Sequence, residues 1–363
     1  MKRITLLMIA ICFSFSCGRQ DELVPLTIDE KLDQLIHAYT DFGFLSGVSV
    51  GIWKDEKARI FHFGKSDPEK GFYPTDTTLY ALGGLSQVFT GVLASDLIQE
   101  GRLQLNDTLN NRLPGSLPVF GNEKITVVDL ATHTSGLVSE ALGNYLELTQ
   151  AEQALAYRDF EPANLYQFLS TTQLLSAPGT RYLYSRLGMA VLGQVIETEA
   201  EMPIDDFFQE RIAKPIGMRN TRTLPGFTQL QFDHLAPAYD QDQQKLQHYR
   251  YGVMEASSGF YSTVEDMIKF VAVQMNLFHS ISDALEFSHV SRFDLGSGNE
   301  VAMGWLKEYQ AGDKILFQSG AVAHAAYIGF NPDKQIGVVV LTNTNSESSV
   351  RVIGRDILNF LWR

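Results

Sequence analysis

The sequence predicts an α/β (α+β) fold: one antiparallel sheet formed from N- and C-terminal segments, flanked by helices, with a mainly helical inserted lobe. Two observations predict it. Strand-like segments gather at both ends of the 363-residue chain, and apolar residues recur at helical spacing from about residue 82 to 250. The composition fits a packed domain, since 45% apolar and 20% charged residues describe a globular protein long enough to bury a sizeable core.

The elements follow in order. Thr27-Ile28-Asp29-Glu30 is a capping-box pattern that starts a helix, and Leu32, Leu35, Ile36 and Tyr39 continue it at helical spacing. Val48 to Trp53 and Ala58 to Phe63 read as the two strands of a hairpin, joined by the polar Lys54-Asp55-Glu56-Lys57. Leu85, Val88, Phe89, Val92 and Ile98 line one side of a helix that Gly101 can end in a left-handed cap. Thr126 can cap Val127 to Thr134, and Met189 to Glu199 is another helix with an apolar face. Ile315 to Phe317, Ala325 to Phe330 and Ile336 to Leu341 read as strands, with a turn at Asn331-Pro332-Asp333-Lys334. Val350 to Trp362 closes the chain as an amphipathic helix.

The front of the chain reads differently. Met1-Lys2-Arg3 is a charged start and Ile4 to Phe15 an apolar run too short to span a bilayer, which together describe a signal peptide over residues 1–16. Cys17, between Ser16 and Gly18, stands where bacterial lipoproteins are cleaved and lipidated, although Ser14 replaces the usual Leu. The expectation is a lipid-anchored tether over 17–26 and a folded domain over 27–363, in an exported protein of the periplasm or outer membrane. Ordinary secretion with cleavage near the same place is the alternative. Cleavage there leaves Cys17 as the single cysteine, which excludes an internal disulfide and a cysteine metal site. The net charge of −13 repels phosphate backbones, so nucleic acid is not an expected partner. No H-E-x-x-H motif and no glycine-rich phosphate loop with its Lys occurs, so neither a metal nor a nucleotide cofactor is expected.

Six segments carry a family resemblance. Leu82 to Leu105 includes Leu82-Gly83-Gly84-Leu85-Ser86-Gln87-Val88-Phe89-Thr90-Gly91 and runs on through Glu100-Gly101-Arg102-Leu103. The others are the hairpin near Val48, Leu130-Ala131-Thr132-His133-Thr134-Ser135-Gly136-Leu137, Lys214 to Thr221, Ser258 to Met267, and Val338 to Asn343. In this order they resemble the β-lactamase-related serine hydrolases, the class C β-lactamase and D,D-peptidase-like family. That resemblance implies a β-lactamase/penicillin-binding-protein-like fold over nearly all of the domain.

The resemblance also implies where catalysis would sit, and there this chain departs from it. The family's S-x-x-K motif places a nucleophilic Ser and an activating Lys one helical turn apart. Gly84 stands at the Ser position and Gln87 at the Lys position. Glycine has no atom with which to attack a carbonyl, and a neutral amide is no base. Ser86 lies about 200° around the helix from the nucleophile position, so it is read as an exposed or capping Ser. The Y-x-N element is met as Tyr184-Ser185-Arg186, which retains the Tyr but puts a permanent cation at the Asn position. A guanidinium there suits a carboxylate-bearing ligand, or else pairs with a nearby acid. The K-T-G strand is met as Gln318-Ser319-Gly320, followed by Ala321, whose backbone N–H the family uses as an oxyanion donor, and by His324 at a usual Gly. His133 is read as structural support.

The leading expectation is therefore a scaffold without acyl-enzyme chemistry. Gln87, Tyr184, Arg186, Gln318, Ser319, Gly320, Ala321 and His324 would line its cleft and hold a small molecule, peptide or protein. One rival is a divergent hydrolase of the esterase, peptidase or amidase type, with Tyr184 or His324 as base toward water. A second rival is a structural or assembly protein whose cleft is closed by its enlarged side chains.

Overall fold

The structure, a computed structural model, describes residues 26–275, 279–310 and 312–362. The expected leader and Cys17 lie outside the described residues. Among those residues an eight-stranded antiparallel sheet forms from β1 (Gly47–Lys54), β2 (Lys57–Gly64), β3 (Phe293–Gly296), β4 (Asn299–Val301), β5 (Leu306–Gln310), β6 (Asp313–Ala321), β7 (Ala325–Asn331) and β8 (Ile336–Thr342). Its spatial order is β3-β4-β5-β6-β7-β8-β1-β2, so the N-terminal hairpin is zipped onto the last strand. The Val50↔Val340 register makes that seam. The hairpin itself turns on Asp55 and Glu56, both at positive φ (53° and 59°), the geometry of a two-residue turn that matches strand twist.

Alternation along β8 explains the layers. Val338 and Val340 point to one face, where they meet Leu32 and Ile36 of α1 (Ile28–Thr40). Val350, Ile353 and Ile357 from the closing helix cover the same face. Val339 and Leu341 point the other way, into the core of the helical lobe. Both faces of the strand are buried, which is why it reads as a continuous apolar run. Truncating one of these contacts, Ile353→Ala for example, would cost about 2–5 kcal/mol.

The lobe is built around α2 (Ser86–Gln99). Every residue from Ser86 to Leu97 is buried, so this helix is enclosed all round rather than half-exposed as its spacing suggests. Gly101 follows at φ 74° and ends it, its N–H donating to Ile98 O. Around α2 lie α3 (Arg186–Ala200), capped by the Ser185 hydroxyl, and α4 (Val264–Met275), which runs against β1 where Gly51 leaves room for Val264 and Ile268. The closing helix, α5 (Glu347–Leu361), reaches the edge of the cleft described below with its first residue. No helix among the described residues is long and apolar enough to cross a membrane.

Candidate active-site cleft

Four chain segments converge at the junction of sheet and lobe. They are the tight turn Gly83–Leu85 that leads into α2, residues 182–186 leading into α3, the C-terminal end of β6, and the start of α5. Between them lies a polar cavity of about 380 Å³. Gly84, Tyr184, Arg186, Gln318, Ser319, Gly320 and Ala321 all border it.

Gly84 and Gly320 are pressed together. A Cβ on Gly320 would stand 2.2 Å from Gly84 N, so this position of β6 admits only glycine. Gly83 takes φ 54° to bring the turn in. Gly84 itself is less constrained. A Cβ there would meet Tyr184 Oη at 3.2 Å and Ser319 O at 3.3 Å, contacts that a small shift relieves.

Gln87 does not stand on the cleft wall. Its side chain is fully buried beneath Tyr184 and belongs to a directional hydrogen-bond chain. Ser185 N–H donates to His133 Nδ1 (3.2 Å), which leaves the proton on Nε2. That Nε2–H donates to Gln87 Oε1 (3.1 Å), and Gln87 Nε2 donates to Tyr184 Oη (2.8 Å). Burial lowers the His133 pKa to about 4, so the imidazole is neutral and the whole chain carries no charge at pH 7. Burial also raises the Tyr184 pKa, and the Arg186 charge nearby only partly opposes that. Tyr184 is thus a phenol, and position 87 supplies a neutral amide in place of a base.

Arg186 is pinned. Nε donates to Ser258 Oγ (3.0 Å) and one terminal nitrogen to Glu140 Oε1 (3.0 Å), while the guanidinium lies 5.4 Å from the ring centres of both Tyr145 and Tyr251. Glu140 takes a further hydrogen bond from the Tyr157 hydroxyl (3.0 Å). The paired-acid reading of Arg186 therefore describes its surroundings, and Glu140 matches most of its charge. Gln318 is likewise committed to the backbone, donating to Gly304 O (3.0 Å) and accepting from Ser319 N (3.0 Å). Ser319 donates its hydroxyl to Glu347 Oε1 (2.7 Å).

Two expectations besides that for Gln87 are corrected. His324 does not line the cleft. It is fully buried, Nδ1 accepting from Ala81 N–H (2.8 Å) and Nε2 donating to Ala236 O (3.1 Å), with Tyr80 and His248 packed edge-on against it. With both nitrogens bonded and its pKa driven well down by burial, it has no means to activate water. Ser86 is neither exposed nor a cap; it is buried, and its Oγ accepts from Phe260 N–H (3.2 Å). Sequence reasoning also passed over Glu140, Glu347, Ser258 and Tyr182. Ser258 opens one of the recognised family segments, but no local pattern marks the other three.

This arrangement defines a serine-hydrolase scaffold with its active-site cleft in place. The chain belongs to the Beta-lactamase family, whose model matches residues 32–360. It is 25% identical over 364 residues to the D-alanyl-D-alanine-carboxypeptidase/endopeptidase AmpH of Escherichia coli K12, covering 94% of this chain and 91% of that protein. It is 24% identical over 326 residues to Protein flp of Staphylococcus aureus MW2, covering 88% of this chain but spanning only 64% of the length of that relative. Among solved structures, the octameric penicillin-binding protein homologue from Pyrococcus abyssi superposes with a TM-score of 0.81 at 25% identity, covering 92% of this chain and 77% of that one. A class C β-lactamase superposes at 0.80 and 21% identity, covering 92% and 96%, which supports the shared fold.

Proposed function

We propose that this protein is a lipid-anchored member of the family that binds a ligand reversibly through the former active-site cleft and forms no acyl-enzyme. The observation that carries this reading is the pair at positions 84 and 87. One offers no nucleophile, and the other closes a neutral hydrogen-bond chain where a base would be needed. The cavity of about 380 Å³ favours binding over the closed-cleft reading, because polar groups still border open space. Hydrolysis by activated water is disfavoured, since Tyr184 is held as a phenol and His324 is sealed away. Anchoring rests on the front of the sequence, where Cys17 follows a leader-like run.

The D-alanyl-D-alanine-carboxypeptidase activity of the Escherichia coli relative makes a peptide ending in D-alanyl-D-alanine the first ligand to try. Calorimetric titration with such a peptide should give saturable, reversible binding. Ser319→Trp, which fills the cleft floor, should abolish it. Absence of binding to the unaltered protein, or binding indifferent to Ser319→Trp, would defeat the proposal.

A further inference from the structure

A second cavity, larger than the cleft, lies elsewhere on the molecule. It measures about 640 Å³ and opens between the C-terminal end of α1, the end of β2 and residues 65–74. Tyr73 lines it, and next to lining residues in the chain come the other most exposed aromatic side chains among the described residues. Phe42 and Phe44 (77% and 60% exposed) flank the lining residue Gly43, and Phe72 (60%) adjoins the lining residue Tyr73 (68%).

The backbone that carries these rings is held in place. Gly43 takes φ 75°, Phe44 N–H donates to Tyr39 O (2.9 Å), and Gln243 Nε2 donates to Gly43 O (2.8 Å). On the other side Phe72 exchanges both backbone hydrogen bonds with Asp67 (3.0 and 3.3 Å). With the backbone fixed before a ligand arrives, only the two side-chain torsions of each ring remain to be ordered on binding. Apolar rings presented in this way at one opening mark an interaction site.

Its wall mixes apolar groups with polar side chains, several of them exposed at the rim. Asp41 accepts from His37 Nδ1 (3.2 Å), Asp33 stands on the same helix face one turn back, and His62 Nε2 lies 2.9 Å from Asp76. Lys65 adds donors and Gln243 an amide. A bilayer surface would set the Asp33 and Asp41 carboxylates against lipid, which is costly. A phosphate-bearing ligand would meet the same two charges with the wrong sign. A pyranose ring satisfies both halves: its C–H face covers an aromatic ring, while its hydroxyls donate to carboxylates and accept from Lys and amide groups.

We propose that this cavity is a second binding site, distinct from the cleft, and that its ligand is a neutral oligosaccharide. The full chain in phosphatidylcholine nanodiscs would be titrated with cellotetraose, maltotetraose and the tetramer of β-1,4-linked N-acetylglucosamine, with amide hydrogen exchange followed in parallel. At least one sugar should bind with a dissociation constant of about 1 mM or tighter and slow exchange over residues 39–46 and 65–74. The variant Phe42→Ala/Phe44→Ala/Tyr73→Ala should weaken it at least about tenfold with unchanged melting. Asp41→Asn, a separate arm that keeps the aromatic rim, should weaken it too. The proposal fails if no sugar binds at about 10 mM, or if neither altered protein changes the affinity. It fails equally if the bilayer alone protects both segments and the aromatic variant releases them, which would make this a membrane-facing surface.

Discussion

Gln87 and Tyr184 are joined by a hydrogen bond of 2.8 Å whose direction is set from the other end of the chain, by the Ser185 N–H that fixes the His133 tautomer. The bond places an amide donor where a family nucleophile would need a proton acceptor. Burial, against the pull of this donor, keeps Tyr184 a phenol across the cleft. Loss of the nucleophile and loss of the base are thus one structural fact: the pocket under Tyr184 has been rebuilt as a neutral, fully bonded support.

Replacing Gln87 by Leu keeps the volume and strands both neighbours. His133 Nε2–H and the Tyr184 hydroxyl then lack their partner in a buried place, at a cost of about 1–3 kcal/mol. Urea unfolding followed by tryptophan fluorescence should show the midpoint fall accordingly. An unchanged midpoint would mean that the chain carries no stability.

Arg186 and Glu140 form a pair whose side chains are only 13% and 8% exposed. Arg186→Met alone should cost about 3–5 kcal/mol, because it leaves a buried carboxylate without its partner. Adding Glu140→Leu should recover much of that loss, since two apolar groups replace two desolvated charges. A double variant as unstable as the single one would show that the aromatic stacking, rather than the ion pair, dominates.

Stability should respond to pH through buried groups of opposite sense. His248 has its pKa lowered by burial to about 4, so its stabilising effect is present in full above the unfolded value near 6.5 and lost as pH falls toward 4. Glu255 has its pKa raised by burial to about 7, so its contribution is present below the unfolded value near 4.5 and lost as pH rises through 7. Urea midpoints measured from pH 4 to 8 should show less acid loss in His248→Phe and less alkaline loss in Glu255→Gln. Parallel curves for these variants and the parent would contradict the assignment.

Gly320→Ala tests the close approach of β6 to the nucleophile turn. The added Cβ would fall 2.2 Å from Gly84 N and 2.7 Å from Leu85 N, both rigid backbone atoms. Destabilisation of about 3 kcal/mol is expected, with ligand binding in the cleft weakened even where the protein stays folded. Calorimetric melting combined with peptide titration would measure both.

Much of this fold is legible in the sequence because its signals are local. The Thr27–Glu30 capping box, the polar link between β1 and β2 and the apolar run of β8 each mark their element without help from distant residues. The edge strands β3 to β5 escaped notice, being short, in part exposed and without an apolar run. The cleft was legible as spacing, since 84, 184 and 318 come together in space. What spacing could not convey is direction. His324 follows the cleft strand in sequence but is buried against Tyr80, Ala81 and His248, and Gln87 reaches down to His133 rather than out to solvent. Glu140, which matches the Arg186 charge, is 46 residues away in the chain and lies in a loop with no marking pattern.

The most direct measurement is the intact mass of the protein after incubation with a penicillin and, separately, a fluorophosphonate, beside the double variant Gly84→Ser/Gln87→Lys. The account predicts no mass gain on the unaltered protein and an adduct on the variant, because the cleft is retained and a side chain at position 84 needs only a small shift to fit. A stoichiometric adduct on the unaltered protein would contradict the account, and its position would name the nucleophile.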